Sequence, residues 1–345
     1  MNDLALAEPP VKASAAAAAA ATAEPLVRVR GLKVAFVSRE ATVQAVNGVD
    51  FDLARGEVLT ILGESGSGKS VTMRALMRLL PQRARLEGEI SVDGRDVMQL
   101  SPSALSDMRG QDVAMIFQEP MVAFDPVFSV GAQIAETVER HMGKSRAEGL
   151  KRARDLFDLV QIPSPQRRLA AYPHELSGGM RQRAMIALAL ACSPKLLLAD
   201  EPTTALDATV QIQILLLLRQ LQRELGMSVI FVTHDVGVAT EIADRLAVMY
   251  AGRMVETGTV RDVIRSPSHP YTRGLLRSTV HGASRGARLE AIPGSPPDMS
   301  NPPKGCPFAP RCGLAIAGCL EAPPPPVEVA AGQIVRCIRA GAAPA

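Results

Sequence analysis

Apolar and polar residues alternate over Leu26-Val27-Arg28-Val29-Arg30 and again over Val49-Asp50-Phe51-Asp52-Leu53. That period of two predicts strands with one covered face. Lys33-Val34-Ala35-Phe36 continues the first of them, and Glu87 to Gly94 reads as a further short strand with turns. A second pattern is unbroken. Glu57-Val58-Leu59-Thr60-Ile61-Leu62, Val113 to Phe117, Leu196 to Ala199 and Ser228 to Val232 are short apolar runs with hardly a polar break. Such runs predict strands buried on both faces. Helical spacing marks Val71 to Leu80, Val130 to Met142, Arg146 to Val160, Arg181 to Cys192 and 208–225, with breaks at Pro163, Pro165 and Pro173. One more helix and strand close the pattern near Val248. Buried strands alternating with helices predict an α/β fold on a parallel, doubly wound sheet.

The pattern changes twice. Residues 1–24 carry the alanine run Ala15 to Ala21, with Lys12 as the one basic residue before it and with Asp3 and Glu8 also ahead of it. That composition predicts a disordered low-complexity tail rather than a signal peptide. Near residue 265 prolines begin to crowd the chain, up to the run Pro323 to Pro326. Residues 25–265 therefore read as one domain, and 266–345 as an appendage with little regular structure. The 345 residues are rich in aliphatic side chains and contain no Trp, and the net charge is +3. Near-neutral charge argues against a nucleic-acid partner, and no apolar run is long enough to cross a bilayer. A cytosolic setting follows, in which cysteines stay unpaired.

Candidate chemistry starts at Gly63-Glu64-Ser65-Gly66-Ser67-Gly68-Lys69-Ser70, of the form G-x-x-x-x-G-K-S between a buried strand and a helix. Glycines there let backbone N–H groups curl around phosphates, aided by the helix start. Lys69 would reach the outer phosphates, and Ser70 would bind Mg²⁺. Gln118 ends a strand, where its amide can touch metal and water. Leu176-Ser177-Gly178-Gly179-Met180 leads into a helix and offers a second anion cradle. Asp200-Glu201 ends a buried strand on the ligand side of such a sheet. Asp200 can hold Mg²⁺, and Glu201 can polarise the water that attacks a γ-phosphate. His234 follows another strand and can bond that phosphate. Cys306, Cys312, Cys319 and Cys337 cluster in the appendage with spacing C-x5-C-x6-C-x17-C. Four clustered thiols suggest a metal site. Zinc favours a tighter pair, an all-cysteine [4Fe–4S] cluster tolerates wider spacing, and unrelated thiols stay open.

Gly63 to Ser70, Gln118, Leu176 to Met180, Leu196 to Glu201, Ala205 to Asp207 and His234 stand in an order that closely resembles the ATP-binding subunit of ABC transporters. The resemblance covers about 26–265. It implies a P-loop NTPase of the ABC ATPase type with a β subdomain and a helical subdomain near 119–192. It also implies ATP on Gly63, Ser65, Gly66, Gly68, Lys69, Ser70 and Val71, with Phe36 the best match for the adenine-stacking position. Ser38 to Val43 reads as an insertion beside it. Ser177, Gly178, Gly179 and Asp207 would serve the ATP of a second subunit paired head to tail. Glu201, His234, Gln118 and Lys69 are the implied catalytic set, with Ser70, Gln118 and Asp200 on Mg²⁺.

Ser268-His269-Pro270-Tyr271-Thr272-Arg273-Gly274, Ile292-Pro293-Gly294 and Gly305 to Cys312 resemble the C-terminal extension of oligopeptide/dipeptide importer ATPases of the peptide/nickel branch. This implies a [4Fe–4S] cluster on Cys306, Cys312, Cys319 and Cys337. It implies two membrane permease subunits, a second related ATPase subunit, an external solute-binding protein, and a place on the cytoplasmic face of the membrane. Peptides, nickel and glutathione-like solutes all stay open. A soluble ABC ATPase or a non-enzymatic nucleotide binder are the rival readings.

Overall fold

A computed structural model describes residues 24–204, 206–278 and 291–340. The Ala-rich segment 1–23 and Ala205 lie outside the described residues.

Two sheets organise the fold. The first is antiparallel, in the order β2-β1-β4-β5, from β1 (Val27–Val37), β2 (Thr42–Leu53), β4 (Ala84–Val92) and β5 (Arg95–Asp96). Ser38 to Ala41 is the hairpin turn between β1 and β2, closed by Ser38 N–H to the Ala41 carbonyl at 2.9 Å. The stretch that reads as an insertion is thus an ordinary strand connection.

The second sheet has eight strands in the order β11 (Val327–Ala330), β12 (Gln333–Val335), β10 (Arg253–Thr259), β9 (Arg245–Tyr250), β3 (Val58–Leu62), β8 (Ser228–Thr233), β7 (Leu196–Asp200) and β6 (Val113–Ile116). Five of them run parallel: β3, β6, β7, β8 and β9. The unbroken apolar runs have their reason here. Val58, Ala114, Ile116, Leu197, Ala199, Val229 and Phe231 point into one core, shared with the helices Val130–Met142, Arg146–Leu159 and Gly178–Ala189. Their sequence neighbours Leu59, Ile61, Val113, Met115, Leu196, Leu198, Ile230 and Val232 point into a second core under the antiparallel sheet. With both faces covered, the positions are nearly all apolar, and Thr60, Asp200, Ser228 and Thr233 are the buried polar exceptions.

The sheet is not parallel throughout. β10 turns back along β9, and the appendage adds β11 and β12. The appendage is therefore less irregular than its prolines suggest. It also supplies the helix Pro270–Arg277 and a third core in which Tyr250, Tyr271 and Phe308 pack beside Leu62 and Val248. Glu256 of β10 is 1% exposed and is satisfied entirely from there. Its carboxylate accepts from the N–H groups of Ser268 and His269 at 2.8 and 3.0 Å, and from Gln333 Nε2 at 2.9 Å. A buried carboxylate needs such donors. It acts as a rivet between sheet and appendage.

Candidate active site

β3 delivers the chain to Gly63, and the backbone leaves no room for a side chain there. A Cβ on Gly63 would lie 2.2 Å from the Met249 carbonyl oxygen. Gly68 has φ of +103°, and a Cβ on it would lie 2.4 Å from the Ala45 carbonyl oxygen. Only glycine combines that φ with that approach. Gly68 opens the helix Lys69–Leu76 with no side-chain cap, so the first-turn N–H groups are left to the loop. Lys69 is 5% exposed, and its Nζ donates to the carbonyls of Gly63 and Glu64 at 2.7 and 2.9 Å. Burial pulls its ammonium pKa down, opposed by the charges of Glu201, Asp200 and Glu64.

The ends of β7 and β8 face this loop. Ser70 Oγ donates to Asp200 Oδ1 at 2.7 Å. Asp200 is buried, and desolvation raises its pKa against the hydrogen bond from Ser70. A hydroxyl and a carboxylate in contact are hard oxygen donors suited to Mg²⁺, which takes few protein ligands beside phosphate oxygens. The next residue, Glu201, has φ of +46°, the left-handed region, in a non-glycine residue. Such strain concentrates at functional positions. Its N–H is tied to the Val232 carbonyl at 3.0 Å. Its Oε1 lies 3.9 Å from Lys69 Nζ, while Oε2 accepts from Thr204 Oγ1 at 3.1 Å and lies 3.1 Å from His234 Nδ1. Glu64 to Val71, Gln118, Glu201, Thr204 and His234 line one open cavity of about 810 Å³.

A family model described as "ABC transporter" matches residues 46–204, and one described as "Oligopeptide/dipeptide transporter, C-terminal region" matches 255–319. The chain is 49% identical over 314 residues to the oligopeptide transport ATP-binding protein OppD of Bacillus subtilis, covering 90% of this chain and 88% of that protein. The dipeptide transport ATP-binding protein DppD of the same organism is 49% identical, covering 86% and 89%. This chain belongs to the ABC transporter ATP-binding proteins. A solved ATP-binding cassette, a dimer in a post-hydrolysis state bound to ADP and Pi, is 29% identical with a TM-score of 0.61, covering 68% of this chain and 99% of that one. Over that part of the chain the strands and helices are those of an ABC ATPase cassette.

This ABC ATPase gathers Ser65, Gly66, Gly68, Lys69, Ser70, Val71, Gln118, Glu201 and His234 around the cavity. Gly63 and Asp200 adjoin it through Lys69 and Ser70. Ser177, Gly178, Gly179 and Asp207 are not among its described lining residues. Ser177 is exposed and caps the helix Gly178–Ala189 by accepting from Met180 N–H at 3.3 Å. Asp207 caps the helix Ala208–Leu225 through Val210 N–H at 3.0 Å. Phe36 is not brought to the cavity either. It sits opposite Val43 and Ala84 in the antiparallel sheet and packs on the second core.

Sequence reasoning missed the contribution of the appendage. Leu275, Ser278, Ala291 and Ile292 line the same cavity. Tyr271 and Arg311 contact the loop itself through Glu64. The one available signal was Arg311, a cation inside the otherwise uncharged run Cys306-Pro307-Phe308-Ala309-Pro310-Arg311-Cys312.

Cys306, Cys312, Cys319 and Cys337 do converge on one small cavity, together with His269. Burial raises the thiol pKa of Cys306, Cys312 and Cys337. Yet among the described residues no group of three or more His, Cys, Asp or Glu is arranged to hold a metal ion. The thiols share a packed pocket without forming a ligand cage, so the described residues show no [4Fe–4S] or other metal site where one was expected.

Proposed function

We propose that this ATPase powers the uptake of di- and oligopeptides from the cytoplasmic face of a membrane. The observation that carries this reading is the double match: the ATPase core and the peptide-transporter C-terminal region lie in one chain that aligns with peptide-transport relatives over nine-tenths of its length. No helix among the described residues is long and apolar enough to cross a membrane. Transport then needs permease partners, two of them, with an external solute-binding protein. Val122, Val127 and Phe128 in the helical subdomain are 68%, 68% and 55% exposed and suit such a contact.

The catalytic roles are proposals of the same kind. Lys69 and the loop N–H groups bind the phosphates, and Ser70 and Asp200, with Gln118, hold Mg²⁺. When bound, Mg²⁺ would neutralise charge on the β- and γ-phosphates. Glu201, held at Oε2 by Thr204 and His234 and facing the cavity, accepts the proton of the attacking water, and His234 bonds the γ-phosphate. Ser177, Gly178, Gly179 and Asp207 complete the site of a second ATPase subunit, which we propose to be a different, related chain. The exposure of Ser177, Gly178 and Asp207 away from their own cavity supports that arrangement.

The four cysteines remain a proposed [4Fe–4S] site, supported by their convergence and requiring the sulfurs to rearrange around the cluster. Iron and sulfide analysis of anaerobically purified protein tests this. Stoichiometric zinc without iron sinks it. For the solute, the chain and its permeases are expressed in a host lacking its own peptide importers. Growth on an essential amino acid supplied as di- and pentapeptides is expected. Restored nickel-dependent growth without peptide use overturns the peptide reading.

A further inference from the structure

The phosphate loop is held from outside itself. Glu64, its second residue, has all its polar groups engaged. Its carbonyl accepts from Lys69 Nζ at 2.9 Å, and its N–H donates to Tyr271 Oη at 2.9 Å. Its carboxylate takes both terminal nitrogens of Arg311, Nη1 to Oε2 at 2.7 Å and Nη2 to Oε1 at 3.1 Å. Lys69 belongs to the loop, but Tyr271 and Arg311 come from the appendage, 207 and 247 residues further on.

Arg311 is not a casual surface partner. Its side chain is 4% exposed. Its Nε donates to the Pro293 carbonyl at 2.8 Å, and its Nη1 also reaches Tyr250 Oη at 3.2 Å. The guanidinium carbon lies 5.7 and 5.9 Å from the ring centroids of Tyr250 and Phe308. A planar fork fixed on every side meets a carboxylate in one geometry only. Glu64 meanwhile borders the cavity that receives a polyphosphate. Unpaired, its charge would repel that ligand, and paired with Arg311 it does not.

We propose that Arg311 and Tyr271 are positioning residues for the phosphate loop: they fix Glu64 and cancel its charge, so the loop presents its donors to ATP already ordered. The proposal rests on reading Gly63 to Ser70 as the ATP phosphate cradle. Pre-ordering reduces the cost of binding rather than the barrier to chemistry. The appendage thereby sets nucleotide affinity.

The test uses the full chain, a fluorescent ATP analogue with Mg²⁺, and steady-state hydrolysis. Arg311→Met is expected to raise the dissociation constant and KM roughly tenfold, a usual coupling size, with kcat within about twofold. Adding Glu64→Gln to Arg311→Met should recover part of that loss, the share due to the bare carboxylate, while the share due to lost ordering stays. The defect of the single variant should also shrink as salt rises from about 0.05 M to about 0.5 M. A folded Arg311→Met with unchanged affinity, or a double variant no better than the single, overturns the proposal. Tyr271→Phe keeps the ring packing and serves if Arg311→Met does not fold. It should loosen binding about two- to threefold for the lost hydrogen bond, and unchanged affinity again overturns the clamp. Lys69→Ala separates the two readings. If it abolishes binding while Arg311→Met binds normally, the cradle stands and the clamp falls. If Lys69→Ala binds normally, the cradle reading itself has failed.

Discussion

The helix Lys69–Leu76 and the helix Gly178–Ala189 both start from a glycine-containing lead-in, yet they present their first turns differently. At Gly68 no side chain caps the helix, a buried lysine lies behind the loop, and a cavity wraps around it. At Ser177 the hydroxyl already takes the N–H of Met180, and Ser177 and Gly178 face solvent. The first helix start is enclosed by its own chain, down to the appendage that pairs with Glu64. The second is a ledge on the surface of the helical subdomain. A loop between a buried strand and a helix has its geometry dictated by the fold. A motif at the exposed end of a subdomain acquires its role from whatever docks there.

The strongest way to break the enclosed half is chemical. Glu201→Gln is expected to lower ATP turnover roughly 10²–10⁴-fold, the usual weight of a general base, with nucleotide affinity little changed. Steady-state phosphate release within about twofold of the parent would remove Glu201 from that role. Gly68→Ala attacks the geometry instead. With φ of +103° and a Cβ 2.4 Å from the Ala45 carbonyl oxygen, strain should lower unfolding stability by about 1–3 kcal/mol in urea melts and loosen ATP binding. An alanine variant as stable and tight-binding as the parent would show that the loop does not depend on this backbone.

The enclosed half also depends on the appendage, and pH exposes that. His269 is 1% exposed, and burial lowers its pKa from 6.5 to about 3, with Arg273 acting in the same direction. Its Nδ1 accepts from Tyr271 N–H at 3.0 Å at the start of the helix that carries Tyr271 to Glu64. The unfolded chain binds a proton below pH 6.5 that the native chain refuses until about 3. Stability is therefore complete above 6.5 and falls as the pH drops through that window. Between pH 7 and 5 the loss should be about 2 kcal/mol, and His269→Gln should remove that slope. Parallel urea-midpoint profiles for the two proteins would mean that His269 is not the titrating group.

Legibility followed the range of the interactions. Strands buried on both faces were readable because Leu196 to Ala199 has no polar position to spare. The helix Val130–Met142 was bounded correctly by its spacing, and it ends on Gly143 in the left-handed region. The meeting of the phosphate loop, Glu201 and His234 at one cavity was readable because strand ends in a parallel sheet share one edge. Phe36 was not, since facing inward or towards the cavity depends on the register of β1 in a sheet the local pattern does not encode. The β11–β12 hairpin was hidden by short strands among prolines. The pairing of Glu64 with Arg311 spans 247 residues and leaves no local trace.

Ser177→Ala should have the smallest effect on the molecule itself and the clearest bearing on the comparison. It removes one capping acceptor, worth about 1 kcal/mol of local helix stability, at an exposed position. Because Ser177 does not line its own chain's cavity, ATP affinity of the isolated chain should not move. Turnover by the paired ATPases should fall several-fold if the ledge of one subunit closes on the nucleotide of the other. A change in ATP affinity of the isolated chain, at concentrations where it stays monomeric by light scattering, would place the ledge inside its own site. Unchanged turnover in the pair would reduce Ser177 to a helix cap.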